Sequence, residues 1–287
     1  MSPEEITSFL VSQGLRVVQT ASCYWYNEYR QDRIYHSFPI HRMITPGPNE
    51  IEEVFSSVPV ALALRFIGPI QSSGQKSFIW VCRRPYDLDN LSSNTRSHVR
   101  RGLKKCQVRS MSFEELVALG WEAHRDTAKR HGEAEPPSLG IEAKLDNCAA
   151  YEAWGAFVEG HLAGYIVTMW VEDWVHILLS RSVNAYLKFY PNNALIFSVV
   201  KEMLSREGVL AVSYGLEPLI AADSLERFKS AMGFVKEPVC QHVVMSSRVK
   251  LLLNPVTSKS IEILANFLPR NRRLQKVAGI CRIARKS

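Results

Sequence analysis

Residues 154–180 read WGAFVEGHLAGYIVTMWVEDWVHILLS, and residues 209–214 read VLAVSY. In the first stretch, apolar residues recur on a two-residue period, interrupted at Glu159-Gly160 and Glu172-Asp173, dipeptides that suit tight turns. The pattern predicts a three-stranded antiparallel meander. The period then changes. Pro191-Asn192-Asn193 opens a helix, Ile196, Val199, Val200, Met203 and Leu204 follow at helical spacing, and Gly208 ends it. VLAVSY is a buried type of strand stopped by Gly215. Asp223-Ser224-Leu225-Glu226 is a box-like cap whose helix turns Leu225, Phe228 and Met232 inward; Gly233 closes it, and Val239–Met245 is a last strand. The order is β-β-β-α-β-α-β. A meander that runs into β-α-β makes two strands parallel and joins them by a right-handed crossover helix.

Working outward, the first 110 residues are also mixed α/β. Pro3–Gln13 is a short helix with Ile6, Phe9 and Leu10 on one face, 16–20, 33–43 and 59–66 are strand-like with a helical turn at 51–56, and 78–83 is another apolar run. Asp89, Asn90, Ser92 and Ser93 cap a basic helix whose sparse apolar stripe is Val99, Leu103 and Cys106. Ser112 and Glu115 form a capping box, and Phe113, Leu116, Val117, Gly120, His124, Thr127 and Ala128 share the face of the helix it starts. Gly132 and Pro136-Pro137 end that stretch, and a second short helix runs through Leu145. Two α/β halves of similar size suggest related domains: 1–106, ending in the basic helix; 107–247; and a basic helical extension, 248–287.

The chain has 287 residues, 46% of them hydrophobic and 22% charged, which is globular composition and excludes wholesale disorder. The richest apolar run, 58–70, is broken by Arg65 and Pro69 and is too short for a membrane span. MSPEEITSFL is acidic where a signal peptide would be basic, so the expectation is a cytoplasmic protein. Six cysteines form no CxxC or CxxH pair, so buried free thiols are expected and neither a metal nor a redox motif is signalled. The net charge of +7 is concentrated: 83–109 holds eight Lys/Arg against two Asp, and 248–287 holds ten against one Glu. The remainder has 17 basic and 25 acidic residues. Such segments suit phosphates, anionic lipid or nucleic acid, or are solvated helix faces.

The strand order of the second half resembles the GNAT acyltransferase fold. Two further stretches are similar to its Fem-like branch, which contains the peptidoglycan bridge-forming aminoacyltransferases. One is Asn90-Leu91-Ser92-Ser93-Asn94-Thr95-Arg96-Ser97-His98-Val99-Arg100-Arg101-Gly102-Leu103-Lys104-Lys105; the other is Leu225-Glu226-Arg227-Phe228-Lys229-Ser230-Ala231-Met232-Gly233-Phe234. The resemblance covers about residues 85 to 246. It implies tandem GNAT-like domains with mixed, partly antiparallel sheets and crossover helices. It also implies transfer of an acyl or aminoacyl group from a thioester or ester donor such as acyl-CoA to an amine, without a metal. Two features depart from the pattern. The pyrophosphate loop Arg/Gln-x-x-Gly-x-Gly/Ala is replaced by Leu187-Lys188-Phe189-Tyr190-Pro191-Asn192-Asn193-Ala194, and the long helical hairpin of the tRNA-using enzymes has no counterpart.

Acylating an amine needs a base for the ammonium proton and donors for the developing oxyanion. Glu217, just past Gly215 at the carboxyl end of a strand, is the candidate base; a surface loop carboxylate is the plainer reading. Tyr190 and Tyr186 could donate to a leaving group or simply pack. Asn192, Asn193 and Ala194 open the crossover helix where a pyrophosphate would sit, although Asn193 could merely cap it. Lys229 matches the Phe-Lys lysine of the family, which contacts acceptor phosphates or the polarised acyl group. Arg96 and Arg100, one turn apart, present a shared cationic face to substrate. His176 is a candidate substrate contact, or a satisfied sheet histidine, and His124 has the same standing. The acceptor is an amine-bearing small molecule or a cell-wall precursor. The amphipathic, basic tail suits an anionic membrane at its inner face or packing against the neighbouring domain, and tRNA contact lacks interleaved aromatics. Two alternatives are a catalytically degenerate binding module and an aminoacyl-tRNA-dependent transferase.

Overall fold

The computed structural model describes residues 1–27, 33–132, 139, 142–217, 223–252, 255–268 and 271–286. In chain order the elements begin α1 (Pro3–Ser12), β1 (Val17–Gln19), β2 (Tyr24–Tyr26), β3 (Ile34–Phe38), α2 (Pro48–Ser57), β4 (Ala63–Gly68) and β5 (Gln75–Cys82). Then come α3 (Ser93–Lys105), β6 (Gln107–Met111), α4 (Phe113–Leu119), α5 (Trp121–His131), β7 (Tyr151–Val158), β8 (His161–Val171) and β9 (Trp174–Ser182). The chain ends with α6 (Pro191–Ser205), β10 (Ala211–Leu216), α7 (Asp223–Ala231), β11 (Val235–Met245), α8 (Ser247–Leu252), α9 (Pro255–Phe267) and α10 (Arg272–Ala284). Two compact units result. The meander unit comprises Met1–Ser2, Trp80–Gly215 and Ala222–Lys236; the terminal unit comprises Pro3–Ile79, Leu216–Ala221 and Glu237–Ser287.

The predicted meander is present. Val158 faces His161 across a two-residue turn in which Glu159 and Gly160 both have positive φ, 51° and 81°, the geometry whose twist suits a hairpin. Glu172, at φ 55°, turns β8 into β9. Helix α6 packs on β7 and β8 and returns the chain to β10, which runs parallel to β9. Pro191 at its first position cannot miss an amide that the helix would not use. Leu195, Ile196, Val199, Val200 and Met203 are fully buried, contributing on the order of 10 kcal/mol in transfer free energy. Arg84 clamps the far end of α6 by donating to the carbonyls of Leu204, Arg206 and Val209.

The terminal unit repeats that plan. β1, β2 and β3 are antiparallel neighbours, α2 crosses over, and β4 lies parallel to β3. A three-stranded meander, a crossover helix and a parallel strand thus occur twice, giving the mixed α/β, tandem organisation expected. Within this unit β11 pairs antiparallel with β4, from Cys240↔Gly68 to Met245↔Ala63. Cys281 and Ile283 of α10 pack with Ile34, Ala63, Val243 and Met245, so part of the tail closes a core.

Several local expectations change. Tyr24-Trp25-Tyr26 forms a strand that no alternation marks, because all three residues are buried. The apolar stripe of α3 is Thr95, Val99 and Gly102; Leu103 is exposed. A Cβ at Gly102 would lie 2.7 Å from the Tyr190 carbonyl oxygen and 3.0 Å from Ala194 Cβ, so α3 meets α6 backbone to backbone and Leu103 is turned away. The helix expected from Ser112 is two, divided at Gly120, and Val117 is exposed. The short helix through Leu145 is a 3-10 helix, Glu142–Asn147. Pro136-Pro137 lies outside the described residues.

All six cysteines are buried thiols outside any disulfide, three in each unit. Among the described residues, no helix is long and apolar enough to cross a membrane, and no cluster of three or more His, Cys, Asp or Glu could hold a metal ion.

Candidate functional site

In the meander unit the parallel ladder between β9 and β10 runs from Ala211↔Trp174 to Ser213↔His176. Both strands continue past it, β9 to Ser182 and β10 to Leu216. The Lys229 amine reaches the first residue past the ladder, donating to the Tyr214 carbonyl oxygen at 2.7 Å and lying 4.6 Å from the Tyr214 ring centre. Lys229 occupies the inward face of α7 at 5% exposure, with Met232 beside it, while Phe228 is only half-buried. Burial pulls its pKa down to about 8, an effect that Glu226 offsets in part. Lys236, bonded to Glu226 at 2.8 Å, holds that carboxylate. Tyr214 is pushed upward by burial, so its phenol stays protonated. Gly215 follows in the left-handed region, φ 81°, where the chain leaves the strand. A buried amine whose pKa burial pulls down recurs at functional sites.

The start of α6 is built differently from the expectation. Tyr190 adopts left-handed geometry (φ 58°, ψ 42°) and caps the helix through its backbone, accepting from the Ala194 amide at 3.2 Å. Its ring is stacked on His98 at 4.4 Å and lies under the Arg101 guanidinium at 4.7 Å; Arg101 also donates to its hydroxyl at 3.1 Å. Asn193 does not cap the helix. Its side-chain amide points to Met232 Sδ at 3.4 Å, and that of Asn192 donates to Ser182 Oγ at 3.3 Å. Pro191 has no N–H and the Ala194 amide is engaged, so of the first four helical positions only Asn192 and Asn193 offer amides with no partner inside the helix. Arg130, which sequence reasoning passed over, organises this end. It donates to the Ser182 carbonyl at 3.0 Å, to Ser182 Oγ at 2.8 Å, and to Asn184.

Glu217 belongs to the terminal unit, where it ends a directed chain of hydrogen bonds. Arg65 donates to the Gln241 side-chain oxygen, Gln241 Nε2 donates to Ser77 Oγ at 2.6 Å, and Ser77 donates to Glu217 Oε2 at 2.7 Å. The Glu217 amide is fixed on the Phe78 carbonyl at 2.9 Å. Four residues 176 positions apart along the chain at most align a cation with a carboxylate, a relation that no local motif reveals.

The remaining candidates are dispersed. Arg96 pairs with Asp89 at 2.9 Å and is half-buried, while Arg100 is exposed on the same helix. His176 is 2% exposed inside β9 and stacks with Trp174 at 6.1 Å. His124 lies 3.1 Å from the Tyr165 hydroxyl. Tyr186 stacks with His161.

No family profile and no curated protein matches the chain. Solved structures do. The structure of FemX aligns with a TM-score of 0.59 at 11% identity over 87% of this chain and 93% of that one. The C-terminal domain (DUF2156) of a protein assigned as a lysylphosphatidylglycerol synthetase from Agrobacterium fabrum aligns at 0.56 and 13% identity, over 87% and 90%. At such identity the likeness speaks for the fold.

Proposed function

From a chain with the Fem-like, tandem GNAT fold, we propose an acyl- or aminoacyltransferase that moves its group from an ester or thioester to an amine. The observation that carries the reading is Lys229, a buried amine with a pKa of about 8 at the carbonyl of the first β10 residue past the ladder. In the proposed step the acceptor nitrogen attacks the acyl carbon, the C–N bond forms, and the C–S or C–O bond breaks. The Lys229 cation polarises the acyl oxygen, or holds an acceptor phosphate, and stabilises negative charge that develops there. Glu217, whose carboxylate Ser77 and Gln241 keep oriented within the terminal unit, is the candidate base that the sequence offers for an ammonium proton. Tyr190, held by His98 and Arg101, sits beside the helix start and can donate to the leaving group.

For the donor, the α6 terminus supports an ester at least as well as coenzyme A. Its two available amides, the proline at its first position and the close contact with Gly102 make a poorer pyrophosphate cradle than a glycine-rich loop. An aminoacyl ester would draw instead on the exposed cations of α3, Arg100, Arg101, Lys104 and Lys105. A cell-wall precursor or another amine-bearing molecule is the proposed acceptor. The deciding measurement is the thermal midpoint with coenzyme A, acetyl-CoA and long-chain acyl-CoA. At a hundred times its Kd a donor stabilises the native chain by about 2.7 kcal/mol. A raised midpoint makes acyl-CoA the donor. An unmoved midpoint, together with turnover on an aminoacyl ester, assigns the ester; no turnover on either removes the proposal.

A further inference from the structure

Helix α9 is apolar on two opposite sides. Thr257, Ile261 and Ala265 recur at four-residue spacing on the side that faces the terminal unit: Ala265 is 2% exposed, and Ile261 packs with the cluster of Val243 and Cys281. At 100° per residue, Lys259, Ile263 and Phe267 form a ridge diametrically across the helix. Phe267 is 78% exposed and Ile263 48%, with Leu264, 49% exposed, at the flank. An exposed apolar ridge such as Ile263, Leu264 and Phe267 marks a surface that something covers.

Charge narrows what that is. Segment 248–287 carries ten Lys/Arg against one Glu while the rest of the chain is acidic outside 83–109. Arg248, Lys250, Lys259, Arg282, Arg285 and Lys286 are exposed. A second copy would set one such cationic surface against another, which is repulsive. Nucleic acid would use the cations but has no use for an aliphatic ridge, and Phe267 is the one aromatic residue in the segment. A surface that accepts both apolar side chains and cations is that of an anionic bilayer.

We propose that α9 is a membrane-docking helix, which seats Ile263 and Phe267 among the headgroups of anionic lipid while the basic residues of the tail engage the phosphates. The inference is independent of the acyl-transfer reading. The full chain is sedimented with vesicles of phosphatidylcholine alone and of phosphatidylcholine with phosphatidylglycerol. The expected result is binding to the anionic vesicles only, weakened as salt rises. An Ile263→Glu, Phe267→Glu variant, whose thermal midpoint stays that of the parent because both residues are exposed, binds about tenfold or more weakly. In Phe267→Trp the indole emission shifts to the blue on anionic vesicles. Failure of the parent chain to bind anionic vesicles overturns the proposal, as does undiminished binding by the double variant. Concentration-dependent dimerisation abolished by that variant assigns the ridge to a second copy and overturns it equally.

Discussion

Replacing Lys229 with methionine opposes two effects that pH separates. A fall in the amine pKa from 10.5 to about 8, caused by burial, corresponds to about 3 kcal/mol of folding energy spent on holding the cation. Below pH 8 the amine is charged in the folded and unfolded chains alike, so this cost is fully present. Between pH 8 and 10.5 the folded chain gives up its proton first, the unfolded chain binds more protons, and stability rises with pH. Above 10.5 the cost is gone. Against it stands the hydrogen bond to the Tyr214 carbonyl, whose loss leaves a buried acceptor short of a donor at roughly 1–3 kcal/mol. Methionine keeps the unbranched length and the apolar contact with Tyr214. At pH 7 the two effects nearly cancel and the variant matches the parent. At pH 10.5 only the loss remains, and the parent is the more stable. Urea denaturation of both proteins at pH 7, 8.5 and 10.5 measures the difference, which moves by about 3 kcal/mol in favour of the parent across that range. Parallel curves would refute the argument. Activity reads separately: the variant is inactive at every pH, and kcat/KM of the parent falls as pH rises through about 8, because polarisation requires the cation.

Gly102→Ala in α3 gains up to about 1 kcal/mol of helix propensity but places a methyl against the Tyr190 carbonyl, so a net loss of about 1–3 kcal/mol in thermal or urea unfolding is expected. Ser77→Ala removes the donor to Glu217 and the acceptor for Gln241, which lowers stability by about 1–3 kcal/mol. With Glu217 as base it also lowers kcat while KM holds. In Glu50, burial would raise the pKa, but donors from Ser22 and Gly47 hold it down to about 2. Its contribution is present above pH 4.5 and lost as pH falls through about 2. After allowance for its solvent access, Glu50→Gln costs about 1–2 kcal/mol at pH 7 and nothing at pH 2, measured by urea midpoints.

The meander, the crossover helix and the parallel return to β10 were legible because each depends on local periods and on turn residues beside them. Glu159-Gly160 sits at the turn its chemistry suggests. Tyr24-Trp25-Tyr26 was not legible, since a strand buried on both faces loses the alternation that identifies it. The role of Gly102 was hidden for a similar reason: a glycine in a helix signals weakness until its neighbour is known. At the site, Lys229 stood out through the resemblance and not through pattern. The helical spacing pointed Phe228 inward, and the buried position went to a lysine that tertiary contacts with Tyr214 could satisfy. Tyr190 as a left-handed backbone cap could not be anticipated, because aromatic residues rarely take that geometry. The alignment of Arg65, Gln241, Ser77 and Glu217 depends on which strands become neighbours, information that residue order alone does not contain.

The buried thiols offer a way to time the chain's own opening. Burial pushes Cys23 and Cys82 up to about 12, so at pH 8 only about one molecule in ten thousand carries a reactive thiolate at either position, and the fold keeps reagents from both. Cys23 lies in the terminal unit and Cys82 in the meander unit. A chain reduced to those two cysteines would therefore carry two separate clocks. Alkylation followed by peptide mapping would give the opening rate of each unit from one sample, and a difference between the two rates would mean that the repeated halves do not unfold as one.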